Sequence, residues 1–221
     1  HGTSVCLSNL LCKRKLSWRD KIAKKLGVAV QETEYDSVYA SRRVIKNKSM
    51  NMAHWYGTDI WGKVNEVVRP FLEAGITVYG EIVGYVEQEK MIQKGYDYGC
   101  KPGEWAFYAY RITSTNVDGK VIEFTWDQVK DYCTKYGLMH VPEYETYTIP
   151  YLQEPWREDW LAALDAKYLE KTLPNGMPDE GICVRVEKGL SCEIYKRKSF
   201  KFLKRESDEL DAEVENIEDE N

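Results

Sequence analysis

A run of apolar residues at three- and four-residue steps limits the architecture of this chain more than any other feature. Between Ala53 and Ala74, Trp55, Ile60, Trp61, Val64, Val67, Val68, Phe71 and Leu72 recur in this way, the spacing of one face of an α-helix. Gly75 stands where a helix C-cap would stand. Ile76 to Val86 follows, rich in β-branched and aromatic residues and read as a strand. A helix with so wide an apolar stripe must bury it against another layer.

The rest of the chain supplies that layer. Thr3 to Asn9 and Glu34 to Ala40 alternate as strands do, and Trp18 to Leu26 reads as a short helix closed by Gly27. Gln93 to Gly103 is a Gly-, Lys- and Tyr-rich loop. Trp105 to Thr113 and Val121 to Phe124 are strands across an Asn116–Gly119 turn. Thr125 and Gln128 have capping-box spacing at the start of a helix expected to end at Gly137. A helix near Trp156 to Leu169 is followed by two strands, Gly181 to Glu187 and Cys192 to Phe202, with Lys188-Gly189 as the hairpin turn. Strands in two groups with helices outside them define an α+β fold of mixed and antiparallel sheets flanked by helices.

Charge and cysteine usage exclude several classes. The net charge of −5 comes from the end of the chain, where Glu206 to Asn221 holds nine acidic residues and no basic one. The preceding 205 residues carry 27 acidic and 31 basic side chains, a mildly basic body suited to phosphate. Residues 1–205 are therefore expected to form the folded domain, and 206–221 an acidic, disordered tail. Residues 1–10 lack the features of a signal peptide, and no apolar run is long enough to span a bilayer. Six cysteines without a CxxC pair and only three histidines argue against a zinc site. Reduced, buried thiols and a soluble, cytoplasmic protein are expected, with His54 and His140 structural.

Five short segments carry the chemistry: His1-Gly2-Thr3-Ser4; Ala40-Ser41-Arg42-Arg43; Val78-Tyr79-Gly80-Glu81-Ile82, with Phe107-Tyr108-Ala109-Tyr110-Arg111-Ile112 after it; Glu180-Gly181-Ile182-Cys183-Val184-Arg185; and Ile194-Tyr195-Lys196-Arg197-Lys198-Ser199. Taken singly, Glu81 reads as an exposed strand carboxylate, Tyr110 as a core aromatic, and Lys196 and Lys198 as the solvated face of an edge strand. Alternation also puts Lys196 and Lys198 on one face, aimed at one phosphate cluster. The order of the five segments favours the functional reading.

That ordered set resembles the motif series of covalent nucleotidyltransferases, and the His-Gly-Thr opening is closest to ATP-dependent, nick-sealing RNA ligases. The resemblance covers His1 to about Lys204 and implies a nucleotidyltransferase (ATP-grasp-like ligase adenylation) domain. It implies ATP as AMP donor, Mg²⁺ or Mn²⁺ as cofactor, RNA ends or a nicked duplex as partner, and a monomer of bacterial or viral origin. The lysine that takes the AMP is expected two positions before His1, and an OB-fold module upstream of it. His1, Gly2 and Thr3 belong to the first motif, with His1 beside the nucleophile.

The remaining roles follow the same resemblance. Arg42 contacts a phosphate, with Arg43 as the fallback. Glu81 binds the ribose hydroxyls, and Tyr110 stacks on adenine. Glu180 holds hydrated metal, and Lys198 touches the α-phosphate and helps to orient pyrophosphate as leaving group, with Lys196 working beside it. Arg111 stands where many relatives have Asp, and Ser4 where some have Asn. A DNA ligase, a capping guanylyltransferase and a non-catalytic nucleotide- or RNA-binding module are the alternatives.

Overall fold

The computed structural model describes residues 1–46, 57–147, 155–189 and 191–211; the expected role of His54 lies outside these. In chain order the elements are β1 (Thr3–Lys13), α1 (Trp18–Lys25), β2 (Thr33–Ala40), β3 (Ile45–Lys46), α2 (Ile60–Val68), β4 (Ile76–Gly84), β5 (Trp105–Thr115), β6 (Val121–Glu123), α3 (Trp126–Tyr136), β7 (Met139–His140), α4 (Pro155–Tyr168), β8 (Gly181–Lys188), β9 (Ser191–Lys198) and α5 (Phe200–Asp211). The class is α+β. Two compact units share the chain: one takes Ser4–Glu81 and Phe107–His140, the other His1–Thr3, Ile82–Ala106 and the described part of Val141–Asn221.

The first unit is built on a sheet of order β3-β2-β1-β4-β5-β6, with β7 parallel to β5. β1 and β2 run antiparallel in the register Cys6↔Ala40 to Lys13↔Thr33. Placing β1 between β2 and β4 brings the first and third motif segments onto neighbouring strands. Alternation gives the sheet two faces: Val5 and Leu7 of β1, Val78 and Gly80 of β4, and Phe107 and Ala109 of β5 are buried. Ile60, Trp61, Val64 and Val68 supply the buried stripe of α2, and Val129, Tyr132 and Cys133 that of α3. Trp61 is fully buried and its indole Nε1 donates to the Ser4 carbonyl at 3.1 Å. Fully burying such side chains stabilises by about 1.5–3 kcal/mol each.

The long periodic segment is helical over a shorter span than its spacing suggests. Asp59 caps α2 through the Gly62 amide at 2.9 Å, so the helix begins at Ile60. Pro70 ends the regular ladder, and Arg69–Phe71 forms a single 3₁₀ turn. Gly75 is a strand entry rather than a helix cap: its amide donates to the Asn9 carbonyl, and a Cβ there would lie 2.4 Å from the Thr115 carbonyl oxygen. The Thr125/Gln128 capping box is present, and Gly137 closes α3 at φ 66°.

In the second unit β8 and β9 pair antiparallel, Gly181 facing Lys198 and Cys183 facing Lys196. Ile182 packs with Leu164 and Tyr168 of α4. β9 ends at Lys198, four residues before the strand end read from the sequence, because Ser199 opens α5 instead. Its hydroxyl accepts from the Phe202 amide at 3.1 Å and donates to the Asp179 carbonyl at 2.8 Å. The boundary drawn at residues 205 and 206 falls inside α5, so the acidic stretch starts within a helix. All six cysteines are free thiols, but only Cys133 is buried and Cys183 is exposed, so the expected burial holds for one of them; burial pushes Cys133 up to about 11. No helix among the described residues is long and apolar enough to cross a membrane.

Candidate active site

The sheet unit assembles Ser4, Glu81 and Tyr110 from three adjacent strands. Ser4 Oγ donates to Glu81 Oε2 at 3.0 Å. The Tyr110 phenol is pushed above its ordinary pKa, chiefly by burial and then by the Glu81 charge, with a hydrogen bond to Ser4 opposing. Gly80 is required beside Glu81 for a steric reason. A Cβ at Gly80 would sit 2.2 Å from the Phe107 ring and 2.6 Å from the Tyr108 carbonyl oxygen. The Gly-Glu dipeptide thus lets β5 approach closely while Glu81 faces the other way. This hydrogen-bonding group can take hydroxyls, and the Tyr110 ring beside it offers a π-face.

Arg111 is turned into a different role. Its Nε contacts both oxygens of Glu123 at 2.8 and 3.0 Å, and its Nη2 reaches Oε2 at 2.8 Å. The same guanidinium lies 4.7 Å from the centre of the Tyr79 ring. Arg42 and Arg43 are exposed at the tip of the turn between β2 and β3, closed by Ser41 and Val44. The structure does not bring Arg42 into the Ser4, Glu81 and Tyr110 group.

The second unit holds a charged group. Glu180 immediately precedes β8, and its Oε1 lies 2.5 Å from Lys196 Nζ while its Oε2 lies 3.1 Å from the His1 amino nitrogen. Burial alone would raise the Glu180 pKa, but in the chain that starts at His1 the free amino group and Lys196 together hold it below the usual carboxylate range. Lys198 shares the face of Lys196, yet its ammonium binds both oxygens of Glu206 on α5, at 2.9 and 2.8 Å. The two lysines share a face as expected and are held by different carboxylates. Gly181 is fixed here by φ +134° and by a Cβ position only 2.0 Å from the Arg197 carbonyl oxygen.

His1 is seated by aromatic residues. Its ring lies edge-on to Tyr96 and Phe202, with centroids 4.8 and 5.0 Å away. Its amino nitrogen donates to the Tyr98 hydroxyl at 2.6 Å. The buried Nδ1 has no hydrogen-bond partner among the described residues. Gly2 is buried, and its carbonyl accepts from Gln93 Nε2 at 3.0 Å, while Thr3 starts β1.

Several of these partners were not legible as site residues. Glu206 was hidden in an acidic run, although it follows Phe202 by one helical step. Gln93, Tyr96 and Tyr98 sit in the segment read only as a loop, where the Tyr-x-Tyr alternation was the available signal. Lys46 is a further surprise: it is buried, with its ammonium 4.0 Å from the centre of the Trp61 ring. Burial draws its pKa below the ordinary lysine value, and Asp59 opposes this. Nothing in the sequence separates Lys46 from its basic neighbours.

For a metal, no three His, Cys, Asp or Glu side chains among the described residues are grouped so as to hold an ion. One carboxylate such as Glu180 fits a hydrated Mg²⁺ whose other ligands are water and phosphate oxygens. Comparison with protein families shows that the model described as RNA ligase matches residues 1–203. No curated protein matches the chain.

Proposed function

The chain belongs to the RNA ligase family, and we propose that it joins an RNA 3′-hydroxyl to a 5′-phosphate at the expense of ATP, on a nucleotidyltransferase fold. In this reading the nitrogen of a lysine upstream of His1 attacks the α-phosphorus of ATP. A nitrogen–phosphorus bond forms, the bond to the bridging oxygen breaks, and pyrophosphate leaves. An oxygen of the RNA 5′-phosphate then takes the AMP from the lysine. Finally the 3′-hydroxyl oxygen attacks that 5′-phosphate, loses its proton and releases AMP.

The observation that carries the reading is the β8–β9 register. It sets Lys196 and Lys198 on one face with a carboxylate, Glu180, beside them. A leaving pyrophosphate needs cations placed in advance, which lower the barrier without reorganisation at the moment of reaction. Lys198 would leave Glu206 for the α-phosphate, and Lys196 would work beside it. Bound Mg²⁺ would neutralise phosphate charge, with Glu180 as its protein ligand. Glu81 would accept from the ribose hydroxyls and the Tyr110 ring would stack on adenine. Ser4 would orient both through its contacts with them. Gly2 and Thr3 would line the nucleotide, His1 would pack beside the nucleophile, and Arg42 would contact a phosphate.

The direct test incubates the full-length protein with labelled ATP, GTP or NAD and Mg²⁺, followed by mass measurement. One covalent AMP from ATP alone is expected. Equal labelling by GTP would move the assignment to a capping enzyme. ATP binding without any covalent AMP would make the chain a non-catalytic nucleotide-binding module.

A further inference from the structure

Helix α1 differs from the other helices in having no buried residue. Its inner side is tied to its surroundings by charge: Asp20 pairs with Arg14 at 3.1 Å and Lys24 with Glu32 at 2.7 Å. Ser17 and Asp20 complete a capping box at its start. Helical geometry places Trp18, Lys21, Ile22, Lys25 and Leu26 together on the opposite side, and all five are exposed, Trp18 by 68% and Leu26 by 75%. The Arg19 guanidinium stands 5.4 Å from the centre of the Trp18 ring. From Lys13 to Lys25 there are seven basic residues against one acidic residue, Asp20. That acid is already engaged by Arg14.

An exposed tryptophan with lysines beside it on a two-turn helix has the chemistry of a nucleic-acid contact. The lysines release counterions on meeting phosphates, and the indole offers a π-face to an unpaired base. A helix of 8 residues is only about 12 Å long, which gives little apolar area for lying in a bilayer surface. We propose that the outward face of α1 docks the RNA strand, with Lys21 and Lys25 on backbone phosphates and Trp18 stacked on an unpaired base. The identity of the polymer as RNA rests on the ligase reading above; the surface itself does not.

The test measures binding of a labelled single-stranded RNA with a 5′-phosphate to the full-length protein across a salt series, by fluorescence anisotropy. Lys21→Ala/Lys25→Ala should lower the slope of log affinity against log salt by about 1.4, two single-strand phosphate contacts. Trp18→Ala should weaken binding roughly tenfold. Circular dichroism should show both variants folded, and both should form covalent AMP from ATP at the wild-type rate. RNA binding equal to wild type in both variants overturns the surface. So does variant-sensitive binding to phosphatidylserine vesicles with RNA binding unchanged, or tighter binding of a DNA strand of the same sequence. If no AMP forms from ATP while RNA binding still depends on these residues, the ligase reading fails and the surface stands.

Discussion

The two groups of candidate site residues are built on opposite principles. Ser4, Glu81 and Tyr110 stand on three neighbouring strands of a seven-stranded sheet, linked by hydrogen bonds through Ser4 and held by packing on the far face. Glu180, Lys196 and Lys198 stand on or beside a two-stranded hairpin, and charge holds them: Glu180 to Lys196, and Lys198 to Glu206. A sheet-borne group is set once the strands are in register and is indifferent to salt. A group of ion pairs can exchange one partner for another, so a phosphate can replace a carboxylate on a lysine without refolding anything. The rigid group suits recognition of a fixed shape, and the charged group suits a reactant whose charge moves.

Lys198→Ala gives the largest contrast. It should slow covalent AMP formation by about 10²–10³-fold, the effect of removing one prearranged donor to a developing oxyanion, while Ser4→Ala changes the rate only a few-fold. Single-turnover labelling measures both. A folded Lys198→Ala protein that labels at the wild-type rate would leave Lys198 without a catalytic role.

The two motif glycines sharpen the comparison on stability. At Gly181 an alanine meets both the φ of +134° and the Arg197 carbonyl at 2.0 Å. A loss of about 3 kcal/mol is expected there. Gly80→Ala presses on the Phe107 ring and the Tyr108 carbonyl from a permitted backbone conformation, and should cost about 2 kcal/mol. Urea unfolding of the two variants decides the order, and a harmless Gly181→Ala would mean that the hairpin contact relaxes easily.

Tyr110 separates ring from hydroxyl. Tyr110→Ala should weaken ATP binding by roughly one to two powers of ten, and Tyr110→Phe should leave affinity nearly unchanged. Calorimetric titration gives the affinities, and thermal melting of the same samples gives the packing cost. Unaltered ATP affinity with a large drop in melting temperature would make Tyr110 a core residue.

The smallest effect is in pH. In the chain that starts at His1, whose amino group and Lys196 both face it, Glu180 has a pKa below its ordinary value of 4.5, so its contribution to stability is fully present above that value. The contribution is lost as pH falls from there through the depressed folded-state value. Glu180→Gln should therefore flatten the acid limb of stability against pH. Equal acid limbs for Glu180→Gln and wild type would show that its ion pairs contribute nothing to folding.

Much of the local structure was legible because its causes lie within a few residues of each other. The Thr125 and Gln128 side chains cap α3 from three residues apart, and Gly137 ends it with a left-handed backbone. The alternation of Lys196 and Lys198 on one face follows from the pleat alone. The shortened α2 was less legible, because its apolar period continues through Pro70 and only the missing amide stops the ladder.

Partnership was decided by the tertiary structure. Strand order placed Ser4 beside Glu81, although 77 residues separate them. An α-helix beginning at Phe200, where a strand was expected to continue, turned Glu206 from part of a tail into the partner of Lys198. Arg111 found Glu123 across the β5–β6 register, and Lys46 found the face of Trp61. By itself the sequence determined the local elements, the α+β class and the order of the motif segments. Which charges meet was left to the fold, because ion pairs and cross-strand contacts depend on distances set by packing of the whole chain rather than by the period of any one segment.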